Sequence, residues 1–143
     1  MTKGAPEPPP PSLTAGHAFE SFDWRDVTVD GADWAMEMEV TPKVTNSSGA
    51  LQGGLLATLM DMVAGVSLLR GDDPYLRCAT SEMHISFLAG ARTGPVRAEA
   101  RVLRRGYRTA VVRVDVYDVG ADELHVATAT LGFSAKQRDS GTA

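Results

Sequence analysis

One stretch narrows the possible folds more than any other: Asn46 to Leu69, NSSGALQGGLLATLMDMVAGVSLL, which opens in turn residues, passes through Gly53-Gly54 and becomes almost wholly apolar. Between Leu51 and Leu69 its only charge is Asp61. On a helix, Leu55, Leu56, Leu59, Val63 and Val66 fall on the side away from Asp61, and Gly54, Ala57, Thr58, Ala64 and Gly65 surround it. An apolar wall opposite a wall of small side chains predicts a helix buried nearly all round, with no solvated polar face. Holding an ionised carboxylate out of water is costly unless it has partners, so an acid in such a place points to chemistry before stability.

A membrane span does not fit this run. Leu55 to Leu69 falls short of the roughly 20 residues a bilayer requires and carries an acid at its middle. The helix is expected to end near Arg70-Gly71, with glycine past its last turn and Asp72-Asp73-Pro74 forbidding continuation.

The flanking sequence reads as β structure. Val27, Val29, Trp34, Met36, Met38 and Val40 alternate with polar residues around an Asp30-Gly31-Ala32-Asp33 turn, a hairpin pattern in which Trp24 and Trp34 serve as packing residues. After the helix come four strand-like segments, Cys78 to Phe87, Gly94 to Leu103, Thr109 to Tyr117 and Leu124 to Ser134. In the first, Ala79, Met83, Ile85 and Phe87 oppose Thr80, Glu82, His84 and Ser86. Turn residues at Ala89-Gly90, Arg104 to Tyr107 and Gly120-Ala121-Asp122 predict that the four form an antiparallel meander. One long buried helix between a hairpin and a meander is an α+β arrangement, the sheet wrapping the helix. The exposed edges and open face of such a sheet call for a second copy.

At 143 residues the chain suits one domain, expected over residues 16–136, with a disordered proline-rich arm at 1–15 and a flexible tail at 137–143. The run Pro6-Glu7-Pro8-Pro9-Pro10-Pro11 reads as an extended arm or, alternatively, as an SH3-type ligand. A net charge of −4 argues against nucleic acid as the main partner. A single cysteine, Cys78, excludes an internal disulfide, and His17, His84 and His125 lack zinc-ligand spacing, so no metal is expected. No basic segment followed by an apolar core opens the chain, which makes the cytoplasm the expected location.

Three features converge on one candidate site: the carboxylate of Asp61, the backbone donors of Gly53 and Gly54 at a helix N-terminus, and the polar side chains of Asn46 and Gln52 before it. A carboxylate beside an oxyanion hole is equipment for transferring an acyl group to water, and it also suits a dehydratase or a silent pocket.

In their order, Asn46, Gly49, Gln52-Gly53-Gly54 and Thr58-Leu59-Met60-Asp61 resemble the signature of the PaaI-like (phenylacetate-pathway type) hotdog-fold acyl-CoA thioesterases, Asn, Gly, His-Gly-Gly and then Asp. The resemblance spans about residues 20 to 135 and includes Thr80 to Phe87 and the segment Arg104 to Arg108. It implies a hotdog fold and a general base or nucleophile at Asp61. It implies an oxyanion donor at the Gly53 N–H, Asn46 placing the water or the carboxylate, and Thr80 near the catalytic acid. No cofactor is implied beyond the coenzyme A of the substrate. The implied assembly is a homodimer, and beyond it a dimer of dimers, with Asn46, Gln52 and Gly53 of one chain facing Asp61 and Thr80 of another.

Gln52 departs from the family, which commonly has histidine there; an amide donates a hydrogen bond but carries no proton. Bland readings stand beside these: Gln52 as a helix cap, Asn46 as a turn residue, Thr80 as a strand hydroxyl. Arg105 and Arg108, beside Arg104 at a hairpin, either meet the phosphates of coenzyme A or form a solvated turn. Two alternatives to hydrolysis remain: a hotdog enoyl-CoA hydratase or dehydratase, and a non-catalytic acyl-CoA-binding dimer.

Overall fold

In a computed structural model, residues 16–71 and 73–139 are described; the proline-rich arm and the end of the expected tail lie outside the described residues. The apolar stretch is a helix, α1, over Gly53–Leu69, and around it run β1 (Trp24–Val27), β2 (Trp34–Met38), β3 (Arg77–Phe87), β4 (Val96–Arg105), β5 (Thr109–Asp118) and β6 (Leu124–Lys136). Gly71, with φ +142°, follows the last turn of α1, and Arg70 N–H donates to Val66 O at 2.8 Å. The helix stops where the sequence predicts.

All six strands lie in one antiparallel sheet in the order β1-β2-β4-β5-β6-β3. The expected four-strand meander is therefore reduced to β4-β5-β6. β3 pairs with β6 at the far edge, and β4 pairs with β2. The reason lies in the connection between β3 and β4. Residues 88–95 are too many for a tight hairpin, and they leave β3 beside Val126, pass Leu51 and turn in at Gly94-Pro95, against Asp118 at the end of β5. The result is one sheet around one helix, the hotdog arrangement.

The sheet lays Met38, Val96, Ala98, Ala100, Val112, Val114, Val116, Leu131 and Phe133 against the helix, all buried. Small alanines on β4 let α1 approach closely. From the helix, Leu56, Leu59, Met60, Val63, Ala64, Ser67 and Leu68 are buried. Truncating one of these leucines to alanine costs about 2–5 kcal/mol. Trp24 and Trp34 pack half-buried against this core, as expected, and Trp34 Nε1 donates to Asp26 Oδ1 at 2.9 Å.

Burial all round the helix, the reading from sequence, holds for one face only within a single chain. Ala57, Thr58, Asp61, Met62, Gly65, Val66 and Leu69 are half-buried, and Gly54 is exposed. A single sheet covers one side of a helix and leaves the other to something else.

A second correction concerns β3. A β-bulge between Thr80 and Glu82 inserts a residue and shifts the alternation. Thr80 therefore joins Cys78 on the helix side and does not share the outer face with Glu82 and His84.

Candidate active site

At the N-terminus of α1, Leu55 N–H and Leu56 N–H both donate to Gln52 O at 3.0 Å, so the helical ladder begins there. The N–H groups of Gly53 and Gly54 stand before it and have no acceptor within the helix. Side-chain space is not what requires glycine at these positions. A Cβ on Gly53 would lie 3.6 Å from the Phe87 ring, an ordinary contact, and one on Gly54 would meet nothing within 4 Å. Gly53 is half-buried and Gly54 exposed.

The loop before the helix is fixed largely by main-chain bonds. Leu51 N–H donates to Ala91 O and Gln52 N–H to Val44 O, both at 2.8 Å, and Asn46 N–H donates to Ala50 O at 2.7 Å. Asn46 Oδ1 accepts from Ser48 N–H at 3.0 Å, Ser48 Oγ at 2.8 Å and Ala50 N–H at 3.1 Å. Its carboxamide oxygen is thus spent on shaping the turn, in the manner of the bland reading. Gln52 is exposed and its side chain makes no capping bond to the helix.

Asp61 lies on the uncovered face, two turns along. Thr80 Oγ1 donates to Asp61 Oδ1 at 2.6 Å, and among the described residues it is the one donor to that carboxylate. The bulge in β3 brings the hydroxyl there. Burial pushes the Cys78 thiol above its ordinary pKa, and the charge of Asp61 pushes it in the same direction, which places thiol and carboxylate within electrostatic reach.

Within one chain these pieces are not yet a site. Eight residues of helix separate Gly53 from Asp61, about 12 Å of rise, whereas an attacking group and an oxyanion donor must meet at one carbonyl. Thr80 and Asp61 are together, as are Asn46, Gln52, Gly53 and Gly54.

The two arginines are placed elsewhere. Arg105 donates to Asp73 O at 2.9 Å and Ser67 O at 3.4 Å, with its guanidinium 5.1 Å from the centre of the Tyr75 ring. It closes the C-terminal end of α1, about 21 Å of helix rise from Gly53. Arg108 is exposed on the same hairpin, and its carbonyl accepts from Ala135 N–H at 2.8 Å. In one chain neither reaches the Gly53 donors.

Three residues tied to the loop and helix start, directly or through one another, make contacts that the sequence does not announce. Phe87, 55% exposed, lies over Gly53. Arg92 donates to Ser48 O. Asp118, 1% exposed, accepts from Arg92 N–H at 3.0 Å, Thr93 N–H at 3.1 Å and Gly94 N–H at 2.7 Å. Among the described residues no group of three or more His, Cys, Asp or Glu is placed to hold a metal ion, and no helix is long and apolar enough to cross a membrane.

The sequence model of the thioesterase superfamily matches residues 48–124, more than half of the chain and the part that carries both donors and acid. The chain belongs to the thioesterase superfamily. As a member, it is an enzyme of thioester hydrolysis. It is 33% identical over 119 residues to the human protein named acyl-coenzyme A thioesterase 13, covering 79% of this chain and 82% of that one. Its fold is similar to that of the PaaI protein from the phenylacetic acid degradation operon of E. coli, with TM-score 0.71 and 20% identity over 82% of each chain. It is also similar in structure to a Bacillus halodurans protein solved with CoA, with TM-score 0.62 and 27% identity, covering 71% of this chain and 66% of the other.

Proposed function

We propose that this protein is an acyl-CoA thioesterase acting as a homodimer, in which Asp61 and Thr80 of one chain meet Gly53 and Gln52 of its partner. The observation that carries the reading is the Thr80–Asp61 pair at 2.6 Å on a helix face that its own sheet leaves uncovered. A carboxylate with a single side-chain donor keeps capacity to accept a proton. Donors at a glycine pair keep capacity for an oxyanion. Neither set reaches the other within one chain, and a two-fold related copy supplies the missing half.

Asp61, acting as general base, takes a proton from water as its oxygen attacks the thioester carbonyl, and the Gly53 N–H stabilises the charge that develops on the carbonyl oxygen. Collapse of that adduct breaks the carbon–sulfur bond, and the leaving thiolate takes the proton back from Asp61. The products are the free acid and coenzyme A. In the nucleophilic variant an Asp61 oxygen bonds to the carbonyl carbon and the carbon–sulfur bond breaks to release the thiolate; water then opens the mixed anhydride, its oxygen going to the free acid and a proton to the thiolate. Gln52 donates its amide N–H beside Gly53, a binding role that needs no proton transfer. Asn46 acts through the loop it shapes, and Arg105 through the end of the helix it closes; Arg108 remains the hairpin arginine with room for a ligand. No metal takes part, and the proposed setting is the cytoplasm.

Free-thiol release from short, long and aromatic acyl-CoAs tests the proposal, with Asp61→Ala as control. Thiol release by the wild type that is lost in the variant supports it. Equal release by both removes Asp61 from the reaction, and tight acyl-CoA binding with no release from any substrate would make the protein a binder.

A further inference from the structure

Asp118 stands at the end of β5, away from the elements that carry Asp61, Thr80 and Gly53, and yet a short chain of contacts runs from it to the oxyanion donor. It is 1% exposed, and both of its oxygens are taken up by one loop. Oδ2 accepts from Arg92 N–H at 3.0 Å and Thr93 N–H at 3.1 Å, and Oδ1 from Gly94 N–H at 2.7 Å. Three main-chain donors converging on one carboxylate fix a segment that belongs to no helix or strand. The surroundings leave it little room to shift. A Cβ on Gly94, where φ is +67°, would lie 2.8 Å from Val40 Cγ2, and one on Gly120 would lie 2.6 Å from Thr93 Cγ2.

From this fixed end the loop reaches the donor in one step. Ala91, buried and next to Arg92 in the chain, accepts from Leu51 N–H at 2.8 Å through its carbonyl. Leu51 is itself buried and stands two residues before Gly53. Parallel contacts run alongside: Gly90 lies against Ala50, Arg92 donates to Ser48 O, and Phe87 packs over Gly53. The segment that presents the Gly53 N–H therefore rests along its length on residues 87–92, and the far end of that support is held by one buried carboxylate.

An oxyanion donor acts only within a narrow window, about 2.7–3.1 Å from the charge that develops. A shift of about 1 Å, caused by a change far from the chemistry, can cost about a hundredfold in rate. We propose that Asp118 is a positioning residue for the reaction: by holding the loop at 92–94 it sets where the Gly53 N–H stands. The proposal rests on the hydrolytic reading above and adds to it a residue outside both the Asp61–Thr80 pair and the glycine turn.

Steady-state thiol release from acyl-CoA, calorimetric binding of coenzyme A and amide hydrogen exchange by NMR test it on the full chain, using wild type, Asp118→Ala, Asp118→Asn and, as a control, Val112→Ala. Val112 is buried six residues back on the same strand, about 20 Å from Asp118, so truncating it loosens the core without touching the loop. All are assayed at a temperature where their melting curves show them folded. Asp118→Ala is expected to lower kcat about tenfold to a hundredfold and to leave the Kd for coenzyme A unchanged. Asp118→Asn falls between it and the wild type, because the amide keeps one acceptor oxygen. In both, the Leu51 amide, whose acceptor is Ala91 O, exchanges faster, and Val112→Ala keeps the wild-type kcat. Wild-type kcat in either folded Asp118 variant overturns the proposal and leaves hydrolysis standing. So does an equal loss in Val112→Ala, the mark of general loosening, or a loss confined to coenzyme A affinity. If the wild type releases no thiol from any acyl-CoA, the hydrolytic reading falls and exchange alone decides the brace: a Leu51 amide as protected in Asp118→Asn as in the wild type sinks it.

Discussion

Asp118 and Asp61 are both carboxylates drawn away from solvent in a chain of this size, and their surroundings differ in kind. Asp118 is buried at the end of β5 with three backbone N–H groups on its two oxygens. Asp61 is half-buried on the open face of α1 with one hydroxyl donor. A buried carboxylate with both oxygens held by the main chain is a structural bracket. One with spare lone pairs and an open approach is able to do acid–base work. Asp115 and Glu99 fall on the bracket side: each is nearly buried on the outer sheet face, Asp115 held by Arg113 and His125, Glu99 by Arg97 and Arg101.

The contrast is broken most severely at Asp61. Asp61→Asn is expected to lower thiol release about 10³-fold, within the range for loss of a positioned base, with the thermal midpoint shifted by only a few degrees. A variant that unfolds in place of losing turnover would put Asp61 among the brackets. Asp118→Ala should show itself first in stability, costing about 3 kcal/mol in urea titration because three part-buried N–H groups lose a buried acceptor. If its stability equals that of the wild type, the loop at 92–94 is held by something else.

Smaller effects sharpen the division. Thr80→Val removes the donor to Asp61 and is expected to reduce turnover about tenfold, the scale of one hydrogen bond, with Thr80→Ser restoring it. An equal deficit in the serine variant would point to the methyl group and not the hydroxyl. The least of these concerns acid stability. Burial pushes the Asp115 carboxyl up, but hydrogen bonds from Thr128, Arg113 and His125 outweigh it and hold the group below its ordinary 3.8. A depressed carboxylate contributes stability above its unfolded pKa and loses it as pH falls through the folded one. Asp115→Asn should therefore flatten the loss of stability below about pH 4; an unchanged acid limb would show that other groups carry it.

How much of this could be read from the residues follows the same line. Helix α1 was legible from its start at Gly53 to its stop before Gly71, because both the apolar period and the glycines are local signals. The strands were legible too, each within a few residues, since alternation with turn residues between is also local. The position of β3 beside β6 was not, because pairing across the sheet depends on the path of residues 88–95 and not on any pattern within β3. The bulge at Thr80 and Glu82 carries no glycine or proline to announce it, so strict alternation put Thr80 on the wrong face.

Asp61 stood out because it is the one charge in an apolar run. Asp115 and Asp118 sit in VDVYD, acids interspersed with apolar and aromatic residues near the end of a strand, and only the folded chain shows what binds them. Arg92 belongs to no motif; the nearest signal was the glycines at 49 and 90, whose common neighbour is invisible until the loops meet. Arg105 shows the converse: a cluster of guanidiniums at a hairpin offered either phosphate or a solvated turn, and within one chain its guanidinium reaches Ser67, Asp73 and Tyr75.

The loop that presents Gly53 is tied at Leu51, Gln52 and Asn46 by main-chain bonds to Ala91, Val44 and Ala50. Every amino acid but proline can make such ties, so the exposed side chains along this rim, Asn46 apart, are exchangeable without moving the donor they surround. A lineage built on this scaffold is free to retune which molecules it admits while its reactive geometry stays where it was.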